Sequence, residues 1–276
     1  MNLSRTFLWR KLRERKILAQ HKRVARICEA LIAQYEAAPV HFQLQPKKVF
    51  DTDRIIWQYW AQGYDDVPPV VQKCLESVEK YSDGFVLVRL TDANLSEYLS
   101  LPAFVQEKRC IYSRAFFSDL LRLMLLKTYG GIWLDATIFL SAPIPEKYVS
   151  LPFFVFRRDP NEPNIKYWRN TYAYYFGWAK GFRVNMLSSV MIARKGDTTA
   201  SDLCDLMLLW WRDHVTLPDY LFLQILFDVY PLKEDFPLVS DTLPHQLQQS
   251  NNDPGFKLMT KDNILCSFPI HKLTYK

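Results

Sequence analysis

The chain is 276 residues long, 49% hydrophobic and 23% charged, a composition that excludes a disordered protein and supports a sizeable core. Its net charge of +6 is concentrated at one end: residues 1–27 hold nine Lys/Arg and one acid, Glu14 (+8), so residues 28–276 sum to −2, which argues against a nucleic-acid partner. Five scattered cysteines, Cys28, Cys74, Cys110, Cys204 and Cys266, form no C-x-x-C pair, which argues against a disulfide framework or a zinc site and for a reducing compartment.

The basic start leads into no apolar signal-peptide core, and no stretch approaches the roughly 20 apolar residues of a spanning helix. From Arg15 to Leu31 the spacing predicts an amphipathic helix. Ile17, Val24, Ile27, Cys28 and Leu31 fall on one face and Arg15, Lys16, Lys22, Arg23 and Arg26 on the other, with Phe7, Leu8 and Trp9 as interfacial residues upstream. Three readings are open for this helix: packing on the domain with its basic face in water, binding of residues 1–31 to an anionic membrane surface, or nucleic-acid binding, which the lack of any further basic patch argues against. Residues 1–48 are read as a leader and linker, broken at Ala37-Ala38-Pro39 and Pro46-Lys47-Lys48, and residues 49–276 as one domain. The expected location is cytoplasmic, at the inner face of the cell membrane.

Arg54–Tyr59 reads as a first strand. Pro68-Pro69 opens a helix through Tyr81, and Phe85–Leu90 is a second strand, apolar almost throughout, as in a sheet covered on both faces. Thr91 or Asp92 is expected to cap a short helix. Ser113 or Arg114 begins a long helix through Tyr129, Gly130-Gly131 stops it, and Ile132–Leu134 follows as a strand. Leu187–Ala193 is a further strand, with helices near Thr198–His214 and Asp219–Val229. Alternating strands and helices predict an α/β fold with a mainly parallel sheet flanked by helices.

Ligands of open α/β sheets bind beyond the carboxyl ends of strands, where Asp135 falls. Asp119 and Arg122, three apart, share a face of an otherwise apolar helix. The glycine pair folds that helix back on the next strand, which brings Asp119, Arg122 and Asp135 together. Carboxylates accept and a guanidinium donates in fixed directions, so the trio suits an array of sugar hydroxyls. A capping role for Asp135 and a semi-buried ion pair for Asp119–Arg122 are the plain alternatives. Asn185 and Asp241 are polar positions of the second half that fit either an acceptor site or turns.

The stretch Ser118–Thr137 resembles the sugar-binding region of glycosyltransferases carrying a DxD motif. More closely, it resembles the bacterial capsular polysaccharide synthesis glycosyltransferases. Ile55–Gly63, Cys74–Val78, Leu90–Leu95, Tyr98–Pro102 and the closing His271–Lys276 agree in order, so the similarity covers about residues 50–276. The resemblance implies a GT-A fold and sugar transfer, with retention of configuration, from a UDP- or GDP-sugar to a growing, lipid-linked glycan. It assigns catalysis to Asp135, Asp119 and Arg122. It assigns donor binding to Trp60, Gln58, Asp92, Asn94, Gly131, Asp135, Thr137, His271 and Lys272, with Trp60 stacking on the base. A divalent cation, Mn²⁺ or Mg²⁺, is implied at Asp135 and His271. Thr137, however, stands where the second carboxylate of DxD belongs, so His271 and Lys272 are alternatives to the metal. A toxin-like protein glycosyltransferase, an inactive sugar-binding protein and a glycoside hydrolase are the competing readings.

Overall fold

The structure, a computed structural model, describes residues 7–171, 175–232 and 235–275, with side chains in the first helix from residue 10 onward. Helix α1 (Phe7–Ala37) is followed by β1 (Ile55–Tyr59), α2 (Pro69–Lys80) and β2 (Val86–Leu90). Then come α3 (Ala103–Lys108), α4 (Arg114–Tyr129), β3 (Gly131–Leu134) and β4 (Ile138–Leu140). The second half holds α5 (Glu146–Val149), β5 (Phe153–Arg157), α6 (Ile165–Trp168), β6 (Met186–Ala193), α7 (Thr198–Asp213) and α8 (Phe222–Val229). It closes with α9 (Gln246–Asn252), α10 (Lys261–Ser267) and β7 (Ile270–Lys272).

The main sheet has the order β2-β1-β3-β6-β5. Strands β2, β1 and β3 are parallel, while β6 runs antiparallel to both β3 and β5. Four of the five strands therefore point one way, and the mainly parallel α/β expectation holds. Alternation along β1 sorts the two faces. Trp57 and Tyr59 meet α4, with ring centroids 5.3 Å from Tyr129 and 5.9 Å from Phe117. Trp60, just past the strand, packs with Val71 and Leu75 of α2. β4 and β7 pair separately as a two-stranded antiparallel sheet, which ties the end of the chain to the segment after β3.

The sharpest local feature is the reversal between α4 and β3. Gly130 (φ 74°) caps the helix and Gly131 (φ 99°) starts the strand, both in the left-handed region that side chains disfavour. Space is equally restrictive: a Cβ on Gly130 would lie 2.5 Å from the Lys195 nitrogen, and one on Gly131 2.5 Å from the Ile55 oxygen. The Trp57 indole donates to the Gly130 carbonyl at 2.9 Å and locks the turn. Ser113 caps the other end of α4, its hydroxyl accepting from the Phe116 N–H.

Two expectations are corrected. No helix starts at Thr91 or Asp92. The Thr91 hydroxyl accepts from the Ala93 and Asn94 N–H groups, and the turn runs into a 3₁₀ turn at Leu95–Glu97. The leader is also no separate unit. Ile17, His21, Val24, Ala25, Cys28, Leu31, Ile32 and Tyr35 of α1 are buried in the common core, against α7 and α8. Gln20 and Arg23 donate to the Pro218 carbonyl, and the Tyr35 hydroxyl donates to Asp202 at 3.0 Å. The linker is anchored too, through Phe42 N–H to Asp205 and Lys47 N–H to the Tyr129 hydroxyl. The apolar stripe that suited a bilayer is thus used by the domain, and α1 turns its basic face outward. The side chains of Phe7, Leu8 and Trp9 lie outside the described ones. No described helix is long and apolar enough to cross a membrane.

Candidate active site

The chain reversal sets the site's geometry. From Arg122 the helix descends seven residues, ~10 Å, to Tyr129, and β3 climbs back four residues, ~13 Å, to Asp135. Asp135 therefore arrives level with Asp119 and Arg122, at the carboxyl edge of the sheet. There a cleft of about 560 Å³ opens between the end of β1, the first half of α4, the exit of β3, the amino-terminal half of β6, the start of α8 and the segment after β7. That volume is within the usual range for small-ligand sites.

Arg122 is the hub. It is 4% exposed, and its Nη2 lies 3.0 Å from Asp119 Oδ1 and 3.6 Å from Asp135 Oδ1. It also donates elsewhere on the protein: Nε and Nη2 reach the Ser118 carbonyl and hydroxyl, and Nη1 the Ser188 carbonyl at 2.5 Å. The guanidinium also sits 5.2 Å from the centroid of the Trp133 ring. The arginine is thus fixed by groups on two elements, and both carboxylates take their positions from it.

The two carboxylates differ in basicity. Burial pushes the Asp119 carboxyl up to about 6, with Arg122 opposing and Asp135 adding to the rise. Burial acts on Asp135 in the same sense. Arg122, Lys272, the Trp133 indole and the Ser189 hydroxyl outweigh it and hold this carboxyl below its ordinary value. The indole donates to Asp135 Oδ1 at 2.8 Å, and the Asp135 N–H donates to the Ser189 carbonyl at 2.9 Å. Asp135 is a fixed anion at neutral pH, while Asp119 titrates near it.

Lys272 enters from the other sheet. Its Nζ is 3.6 Å from Asp135 Oδ2 and donates to the Thr137 hydroxyl. The charged residues lining the cleft are Arg114, Arg122 and Lys272 against Asp119 and Asp135, a surplus of one positive charge. His245 also lines it, but burial lowers its imidazole to about 3, so it is neutral. Trp60 stands at the rim with its ring 5.5 Å from that of Tyr275, edge to face, and Tyr220 lines the same cleft.

Of the residues expected at the site, Trp60, Asp119, Arg122, Asp135, Thr137 and Lys272 meet in this cleft. The others do not. Gln58 is fully buried within the sheet, short of its carboxyl edge, with neither amide atom hydrogen-bonded. Asp92 accepts from the Tyr59 hydroxyl and Arg109, both at 2.6 Å, and the Asn94 side chain closes the turn through the Thr91 N–H and Arg89 carbonyl. Gly131 lies at the amino end of β3, a full strand away from the cleft, where its role is the close approach to β1.

His271 is likewise corrected. Lys272 faces the cleft, so its neighbour on a strand must face away. His271 is fully buried beside the Ser141 hydroxyl (3.1 Å), and burial lowers its imidazole to about 4. It offers the cleft neither charge nor a ligand. Asp241 is buried in an ion pair with Arg158 (2.9 Å), and Asn185 donates to Asp228 at 2.6 Å; neither lines this cleft. Lys276, the last residue of the closing motif, lies outside the described residues.

The donor set does not fit a divalent cation, which needs several oxygen ligands. Asp135 Oδ1 faces the indole and Arg122, Oδ2 faces Lys272, and the Thr137 hydroxyl is taken by the same ammonium. Among the described residues no group of three or more His, Cys, Asp or Glu stands where it could hold a metal.

Several lining residues escaped the sequence reading: Arg114, Ser188, Ser189, Tyr220, Gln224 and Tyr275. Gln224 donates to the Ser188 hydroxyl at 2.9 Å and keeps an unpartnered Oε1. Arg114 had a signal, one turn before Ser118 on the same helix face. Ser188 and Ser189 had none, because their end of β6 reaches the cleft only if that strand runs antiparallel.

Comparison with known proteins points the same way. The chain is 31% identical over 111 residues to an O-glycosyltransferase, braB, of Annulohypoxylon truncatum, covering 35% of this chain and 26% of that protein. It is 27% identical over 138 residues to the O-glycosyltransferase PaGT of Phomopsis amygdali, covering 43% of this chain and 34% of that protein. The chain thus spans only about a quarter to a third of the length of these relatives. No solved structure matches it significantly. The model of one family matches residues 7–276, α1 included. The chain belongs to the capsular polysaccharide synthesis protein family.

Proposed function

We propose that the protein is a glycosyltransferase that moves a sugar from a nucleotide-sugar donor to a growing surface polysaccharide. The carrying observation is the Asp119–Arg122–Asp135 cluster at the carboxyl edge of the sheet, with Arg122 holding both carboxylates (3.0 and 3.6 Å). Family membership and the names of the two relatives support the reaction class. The strand order and the single reversed strand are compatible with a GT-A fold.

In this reading the donor sugar lies over the cluster. Asp119 and Asp135 accept from its hydroxyls, and the Trp60–Tyr275 rim takes the base by stacking, worth ~1–3 kcal/mol per base. The positive surplus of the cleft favours a diphosphate. Arg122 holds both carboxylates where they position the donor, and the transfer is read as retaining. The outward basic face of α1 supports docking on an anionic membrane carrying the acceptor, by charge rather than insertion.

The test is ligand-observed NMR with a panel of UDP- and GDP-sugars. At least one should show saturation transfer to both base and sugar protons, and the Asp135→Asn variant should lose the sugar contacts. Absence of binding to the whole panel by the folded protein would refute the reading.

A further inference from the structure

We propose that Lys272 occupies the place of the divalent cation and that this transferase binds and releases its nucleoside diphosphate without a metal. The inference rests on the nucleotide-sugar reading above. Thr137 removes the carboxylate a cation would need, and the Lys272 ammonium fills the position, donating to the Thr137 hydroxyl and lying 3.6 Å from Asp135 Oδ2. The placement is built into the fold. Lys272 pairs in register with Ile138 across β4 and β7, and the Leu273 N–H donates to the Thr137 carbonyl at 3.0 Å. The backbone therefore fixes the ammonium on both sides. Alternation sends the neighbouring His271 into the core, so of this pair Lys272 is the one that brings charge to the cleft.

The charge balance agrees. A cation site built from acids is negative until the metal binds, whereas this cleft carries Arg114, Arg122 and Lys272 against two carboxylates. It is already complementary to a diphosphate. In transfer, the bond between the anomeric carbon and the β-phosphate oxygen breaks, and its electron pair leaves with the nucleoside diphosphate. The acceptor hydroxyl oxygen forms the new bond to that carbon and its proton passes to the departing phosphate. Lys272 keeps its proton throughout and stabilises the charge that develops on the leaving oxygen.

The experiment is calorimetric titration of the full chain with UDP and with GDP, once in EDTA and once in MnCl₂. The tighter nucleotide should bind within about threefold equally in both. In EDTA, Lys272→Met should weaken it by about tenfold or more, and Lys272→Arg should keep most of the affinity, with circular dichroism verifying the fold of each. Mn²⁺ alone, followed by water-proton relaxation, should show no site that Asp135→Asn abolishes. Binding that requires Mn²⁺, an unchanged affinity in folded Lys272→Met, or an Asp135-dependent Mn²⁺ site would each overturn this inference and leave the nucleotide-sugar reading standing. No binding in either buffer would overturn both.

Discussion

Asp119 holds its place against its own solvation. Its carboxyl rises from the ordinary aspartate value of 3.8 to about 6 because burial outweighs Arg122. The folded protein therefore binds a proton more readily than the unfolded chain between these values, so stability falls as pH rises through that window. We expect Asp119→Asn to melt at a higher temperature than the wild type at neutral pH, and to lose the part of the pH dependence between about 4 and 6 that this group causes. Calorimetric melts of both proteins measure this. Donor affinity should move the opposite way: an acceptor of sugar hydroxyls must be ionised, so binding to the wild type weakens below pH about 6. Asp135 gives a contrasting result. Its carboxyl is already ionised well below neutrality, and Asp135→Asn should cost turnover ~10²–10³-fold with the fold retained. A melt unchanged to within a few degrees beside lost turnover is the expected pair of results. The aspartates and the arginine were legible in the sequence because charged residues on an apolar helix and at a strand exit have few structural explanations. His271 misled because a motif names positions, while strand alternation decides which of two neighbours faces a ligand; Gln58 misled because it sits inside β1, short of the strand end where the cleft opens.

Between α4 and β3, two glycines determine whether the site exists. A methyl on Gly131 meets the Ile55 oxygen at 2.5 Å in a backbone of φ 99°, so Gly131→Ala should destabilise by at least ~2 kcal/mol, read by urea unfolding. It should also lower donor binding, because the same reversal sets Asp135 against Arg122. At the other end of the chain, α1 has two separable faces. Its buried face includes Ile17, Val24, Leu31 and Ile32, and each such side chain contributes ~1.5–3 kcal/mol of burial. Deleting residues 1–37 should therefore yield an insoluble or unfolded protein, assayed by expression and circular dichroism, rather than a soluble enzyme released from membranes. Reversing the exposed Arg15, Lys16, Lys22 and Arg26 to Glu should leave the melt nearly unchanged. It should abolish co-sedimentation with anionic vesicles, binding that in the wild type weakens as salt rises. The helix itself was readable from its 3.6-residue period, but periodicity does not say what covers the apolar face. Both a bilayer and α8 fit the same stripe.

Over the whole molecule, the first half was readable nearly element by element, because β1, α2, β2, α4 and β3 alternate in the order a parallel sheet requires. The second half was less so. β7 is only three residues long and acquires its meaning only by pairing with β4 over more than a hundred residues of chain. The reversed direction of β6 brings Ser188 and Ser189 to the cleft, and no local pattern encodes strand direction. The far wall of the site is consequently a product of topology, whereas the near wall is a product of one helix, one turn and one strand. These walls meet at Arg122, whose donors reach Asp119 on its own helix and the Ser188 carbonyl across the cleft. The most direct test of the account is release of nucleoside diphosphate from a panel of UDP- and GDP-sugars by the wild type and by Asp135→Asn. The account predicts slow, donor-specific release by the wild type and a loss of ~10²-fold or more in a variant that still folds. Equal release by the two proteins would contradict it.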